Sequence, residues 1–266
     1  MSNRETVASG GCFCDGSDTR RAFLYLYPNE SAVDGDVSED GRVVNAIEGA
    51  MDVFVSNDCL DYYEIVKYTG GPMNLSYEEG SDEIDTAHNF GDKFSSWLDS
   101  SSDNMFPDYR GLHYGVSDGF DHAGGPSVNW YSNNGYNFDP TEVGHTAFKE
   151  ALWMMLGTKS DNSDLIRSFS IQEPLHGFIS SKLSEQNGLT TDDGFHGDHQ
   201  LGKVYEWGGS GEYGATSPMA TLWADDTDDQ AYDGQCTSDQ SWQGKYDQLM
   251  TDCTLQAMRD TANAEF

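Results

Sequence analysis

A chain that sets 46 acidic side chains against 14 basic ones is constrained before any motif is considered. Its formal charge of −32, with 31 of the acids aspartate, works against the compact state through self-repulsion. Molar salt shortens the Debye length to about 3 Å and supplies cations for the carboxylates, so the balance reads as adaptation to salt, as in a halophilic source. An acidic disordered protein is the competing reading. The 12% aromatic content and the recurring apolar periodicity argue against it. No stretch forms a basic patch, which excludes nucleic acid as the expected partner.

At 266 residues the chain suits one large domain, which should bury roughly 70–75% of its unfolded surface. We expect a flexible polar arm over residues 1–21 and a single domain over 22–266, with a helical subregion from about 220 onward. No apolar run reaches the ~18 residues of a membrane span. Residues 19–24 resemble a twin-arginine export motif, but no apolar stretch follows it, and 22–27 read instead as a buried first strand. Of the five cysteines, Cys236 and Cys253 bracket the start of the last helix and are expected to pair. Cys59 is in reach of Cys12 or Cys14, and Cys12 with Cys14 is a weaker zinc candidate. Two disulfides would place the protein outside the cytoplasm, extracellular or on the cell surface.

Apolar spacing at Val44, Ile47, Met51 and Val55 predicts a helix over 43–55, and residues 62–68 alternate as a strand. Ala87, Phe90, Phe94 and Trp97 predict a second helix over 84–98. Strands are expected at 109–116 and 127–131. Asp139-Pro140-Thr141-Glu142 is a helix start, and Val143, Ala147, Ala151 and Met155 continue an apolar face to Gly157. Ser170 and Glu173 form a capping box that opens a further helix running to Gly188. A last helix is expected over 241–261. The whole is an α+β domain with a mixed, mostly antiparallel sheet, helices on one side, and a C-terminal helix stapled by the Cys236–Cys253 pair.

Calcium has two weak footholds. Asp36, Ser38, Asp40 and Gly41 match half of a calcium loop whose twelfth position falls on Ile47, and Asp225 to Asp229 is an acidic run; solvated acidic turns explain both. No G-x-S-x-G elbow or phosphate loop is present.

Within 139–219, two helices, a histidine pair and Thr216-Ser217-Pro218-Met219 follow in an order that resembles the metzincin branch of the zincin metallopeptidases. That resemblance implies a zinc ion held by two histidines one turn apart in H-E-x-x-H, a third histidine beyond a turn, and a methionine turn beneath the metal. Residues four apart on a helix project together, so both imidazoles reach one ion while the adjacent glutamate reaches its water. This chain departs from the pattern in two places. Lys149-Glu150-Ala151-Leu152-Trp153 has Lys and Trp at the ligand positions. Gln172-Glu173-Pro174-Leu175-His176 keeps the glutamate and second histidine, with Gln at the first. Downstream, His196-Gly197-Asp198-His199 offers a third ligand, twenty residues before Met219.

The resemblance therefore implies metal at His176 and His199, completed by His196 or Asp198, with Glu173 as general base and a peptide or protein as substrate. Each piece has a plainer reading: Glu173 as the capping-box acid, His176 as a core histidine, His196 and His199 as solvated loop residues, and Met219 as filler in an ordinary turn. Trp130, Tyr131 and Tyr136 are core aromatics or one wall of a substrate groove. The expected function is an exported, salt-adapted, metallopeptidase-like protein. The alternative is a non-catalytic secreted or cell-surface interaction protein, a pseudoenzyme on a scaffold that has lost its metal.

Overall fold

A computed structural model describes residues 3–13, 19–100, 110–120, 123–124, 146–149, 151–159, 163–190, 199–202, 204–207, 212–217, 219 and 250–266. The described residues form one α+β domain on a six-stranded sheet. In chain order its strands are β1 (Arg4–Gly11), β2 (Arg21–Pro28), β3 (Tyr62–Tyr68), β4 (Gly111–Ser117), the two-residue β5 (Ala123–Gly124) and β6 (Ala151–Gly157). Their spatial order is β1-β3-β2-β4-β6-β5. A separate antiparallel ribbon pairs β7 (Val204–Trp207) with β8 (Glu212–Thr216).

The expected antiparallel character is confined to the edges. β2, β3, β4 and β6 run parallel, with β1 and β5 antiparallel on the outside. Parallel strands covered on both faces are near-continuous apolar runs, and ALWMMLG in β6 is one. For the same reason the helix expected to reach Gly157 is not there: its last seven residues are β6, a run that periodicity alone cannot tell from a buried helix. Residues 139–145 and the strand expected at 127–131 lie outside the described residues. The polar arm also needs correction, because β1 pairs with β3 from Arg4 opposite Tyr68 to Gly11 opposite Tyr62, with one register shift between Thr6 and Ala8.

Helices cover both faces of the sheet, not one. Alternation along each strand sends Leu112, Tyr114, Leu152, Met154 and Leu156 to one face, where α1 (Arg42–Ser56), α3 (Ser163–Phe178) and α5 (Asp252–Glu265) pack. His113, Trp153 and Met155 belong to the opposite face, against Phe90, Phe94 and Leu98 of α2 (Glu83–Ser100). The short α4 (Ser181–Gln186) is capped by Ser180, whose hydroxyl accepts from the Leu183 amide. α5 begins at Asp252 with Thr251 as its cap, well inside the expected range; 241–249 lie outside the described residues.

Cys59 is a free, buried thiol that donates to the Leu255 carbonyl, so it joins neither Cys12 nor Cys14. Cys236 lies outside the described residues. No helix among the described residues is long and apolar enough to cross a membrane.

Candidate functional site

The site is built on α3, and α3 differs from its sequence reading in three linked ways. It begins at Ser163, so Ser170 is not a cap; its hydroxyl donates back to the Ile166 carbonyl, 2.7 Å away, from inside the helix. Glu173 is therefore no capping-box acid. Pro174 sits deep in the helix rather than in its first turn, and its missing N–H leaves the Ser170 carbonyl without the usual helical donor. The helix stops at Phe178.

From Ser168 to Ser180 every residue of this segment is buried, Gln172, Glu173 and His176 among them. Buried polar side chains need partners or a function, and their concentration on one covered helix marks the place to look. Glu173 projects toward β4. There the Tyr114 hydroxyl donates to the Phe169 carbonyl (3.1 Å), and full burial, with the Glu173 carboxylate adding to it, pushes the Tyr114 phenol well above its ordinary pKa. Burial likewise raises the Glu173 carboxyl above its ordinary pKa, and His176 partly offsets that rise. Glu173 Oε2 is buried and meets no hydrogen-bond partner among the described residues.

His199 arrives from the other side of the site. Its ring meets that of His176 edge to face, centroids 4.9 Å apart at 79°. Its Nδ1 lies 3.1 Å from the carbonyl oxygen of Met219 and 3.2 Å from the amide of Gln172. Met219 is fully buried. One helix turn and two downstream positions, all predicted as one constellation, thus meet in a single buried cluster.

C-terminal contacts hold the His199 segment in place. The Leu201 carbonyl accepts from the hydroxyls of both Thr251 and Thr254, at the start of α5. The other end of the site is tied to the same helix, since the Ser180 amide donates to Thr261 Oγ1 at 3.0 Å. The last turn of α3 is tied in turn to the segment before β6, where Ala147 N donates to the Gly177 carbonyl at 2.8 Å. Gly177 lies so close to β4 that a Cβ there would stand 2.8 Å from Leu112 Cδ1.

The other candidates fare differently. Lys149 is exposed over the Phe266 ring, and Trp153 faces α2 on the far side of the sheet, so Lys149 and Trp153 contribute nothing to this cluster. His196, Asp198, Asp225 to Asp229, Trp130, Tyr131 and Tyr136 lie outside the described residues. The half calcium loop is organised by the protein's own cations. Arg42 binds both carboxylate oxygens of Asp36, and Lys67 binds Asp34 Oδ1 and Ser38 Oγ. Among the described residues no three His, Cys, Asp or Glu side chains stand together as a metal-holding group.

Tyr114 was missed by sequence reasoning. It is one apolar position among seven in a strand buried throughout, and only the register of β4 under α3 singles it out. Neither a protein family, a curated protein nor a solved structure matches this chain.

Proposed function

We propose that the cluster of Glu173, His176 and His199 is the core of a metal-assisted peptide hydrolase, with zinc on the two imidazoles and Glu173 as general base. The observation that carries the reading is the meeting of His176 and His199 at 4.9 Å beside a buried carboxyl that has an oxygen to spare. The donor set fits a divalent ion: imidazole nitrogens suit zinc, and a carboxyl oxygen without a protein partner suits a bound water. Zinc in such a site supplies a Lewis acid and a bound water of lowered pKa. Glu173 stands beside His176 on the same helix turn to take a proton from that water, and a nearby cation would favour its ionised form. His196 or Asp198 is the proposed third ligand. The zincin-like scaffold, the Cys236–Cys253 staple, export and salt adaptation belong to the same proposal.

A second reading has its own support. Gln172 stands where the first histidine would be, which suits a secreted interaction protein that kept the scaffold and lost the metal.

Metal content separates the two. Full-length protein purified in molar salt should hold about one equivalent of zinc, on protein ligands that leave one position open for water. His176→Ala and His199→Ala should each weaken binding by more than the roughly 10- to 100-fold that outer-shell substitutions cost. Protein that takes up no zinc when zinc is added would end the hydrolase reading and leave the interaction protein.

A further inference from the structure

Gln172 occupies the position where the zincin pattern has its first ligand, yet its side chain is withdrawn from solvent. It lies 3.2 Å from His199 Nδ1, across 27 positions of sequence, and the same nitrogen lies 3.1 Å from the Met219 carbonyl oxygen. All three groups are buried: Gln172 is 3% exposed, His199 6% and Met219 0%. None of them can exchange these contacts for water at low cost.

Two partners on one ring nitrogen determine where its proton sits. A carbonyl oxygen only accepts, so the Met219 contact requires the proton on Nδ1; without it two lone pairs would face each other. The carboxamide is nearly symmetric in shape, and its two ends are distinguished only by what they touch. With Nε2 nearest, Gln172 would set N–H against N–H. Turned by half a rotation, it sets Oε1 there, and the single Nδ1 proton is shared between two acceptors in a three-centre bond. The remaining nitrogen, Nε2, then carries the ring's lone pair. A histidine that donates from its outer nitrogen to a carbonyl or amide is oriented and made more basic at the other one.

We infer that Gln172 is a positioning residue and not a vacated ligand: with the Met219 carbonyl it holds the proton of His199 on Nδ1 and so presents Nε2 as the binding nitrogen. The inference deepens the proposed metal site, and its functional meaning rests on that reading. The geometry is independent of it. A glutamine is long enough to reach across from α3, and a glutamate in its place would be an acceptor of the same length. Leucine would fill the space with no acceptor at all.

The test is the tautomer of His199 in the full chain, labelled with 15N-histidine, freed of metal by chelation and kept in molar salt. Long-range 1H–15N correlation at about pH 8 lies above the ordinary imidazole pKa of about 6.5. His199→Gln assigns the signal by its loss. Wild-type protein should show the proton on Nδ1, and Gln172→Glu should keep it there. Gln172→Leu should shift the tautomer ratio about fivefold toward Nε2–H, which is what one buried hydrogen bond is worth. A wild-type proton on Nε2 would overturn the inference, and so would a ratio that Gln172→Leu leaves unchanged. If Gln172→Leu does not fold, Gln172→Met, of similar length but without a carbonyl acceptor, carries the same expectation and the same refutation. Zinc added to the same samples reports on the metal site separately: an Nδ1 proton with no zinc bound would end the hydrolase reading and leave this one standing.

Discussion

The Tyr114 hydroxyl donates to the Phe169 carbonyl across 3.1 Å, from the parallel strand β4 to the covered helix α3. That carbonyl is also the helical acceptor for residue 173, so one phenol fixes the height at which Glu173 stands over the sheet. The phenol stays protonated because burial and the Glu173 carboxylate both raise its pKa. Tyr114→Phe keeps the ring and removes only the bond. It should cost about 1 kcal/mol in urea unfolding, the net worth of one neutral buried hydrogen bond. It should also weaken zinc binding without changing the ligands. An unchanged unfolding midpoint would show that the bond adds nothing to the placement of α3.

Glu173 gives a pH dependence whose sign follows from burial. In the unfolded chain its carboxyl titrates near the ordinary 4.5; in the metal-free native state it titrates higher. Between those values the native state holds the extra proton, so stability falls as pH rises through that window and the penalty is complete above the folded value. Glu173→Gln removes the penalty. Its melting temperature minus that of the wild type should therefore grow from about pH 4.5 upward and then level off. Zinc should shrink the difference, since a cation beside Glu173 favours its charged form. Parallel curves for the two proteins would refute the assignment.

Much of this arrangement was legible before the structure, and the failures share a cause. The helices over 42–56 and 83–100 announced themselves because each has one covered face and one wet one, while the largely covered strand over 62–68 was marked by its aromatic and β-branched residues and the Gly-Gly-Pro turn after it. β6 and α3 did not, because both are covered all round. Ala151 to Gly157 carries no alternation, and Ser168 to Ser180 mixes Ser, Gln, Glu and His into a segment with no exposed face to mark the period. Ser170 with Glu173 matched a capping box by chance, and the true start of α3 lies seven residues earlier. The motif order that joins Glu173, His176, His199 and Met219 does not depend on where α3 begins, and the fold sets His199 against both His176 and the Met219 carbonyl. The role of Gln172 was beyond the sequence, because a motif registers the missing histidine and not what the glutamine touches.

Arg20 holds the start of β2 to the connection between α1 and β3. Its guanidinium bonds both carboxylate oxygens of Asp61, at 2.9 and 3.2 Å, and the Asp58 carbonyl at 2.8 Å. The side-chain hydrogen bond from Arg20 holds the Asp61 carboxyl below its ordinary 3.8. A lowered carboxyl contributes stability above the unfolded value and loses it as pH falls through the folded one. Arg20→Met should therefore cost about 1–2 kcal/mol near neutral pH, toward the low end because solvent screens the partly exposed Asp61. The gap to the wild type should close below about pH 3.8. A gap that persists in acid would assign the loss to packing of the arginine stem instead.

Salt adaptation is the remaining proposal, and the acidic loop before α1 shows how it would operate. Asp34 and Asp36 are already served by Lys67 and Arg42, yet the chain has 14 basic side chains for 46 acids. Most carboxylates must then be balanced by solvent cations. At about 0.1 M salt the Debye length is ~10 Å, long enough for neighbouring acidic loops to repel one another, whereas at 1 M it is ~3 Å. Dialysis to about 0.1 M salt should abolish the near-UV circular dichroism of the buried Tyr27, Tyr63, Tyr114 and Trp153, and return to molar KCl should restore it. The same experiment in sodium and potassium salts of equal concentration should give the same midpoint, because the requirement is for screening and diffuse pairing and not for one bound ion. Near-UV spectra that persist at low salt would show that the core carries the charge unaided, and the acidic balance would then need another explanation.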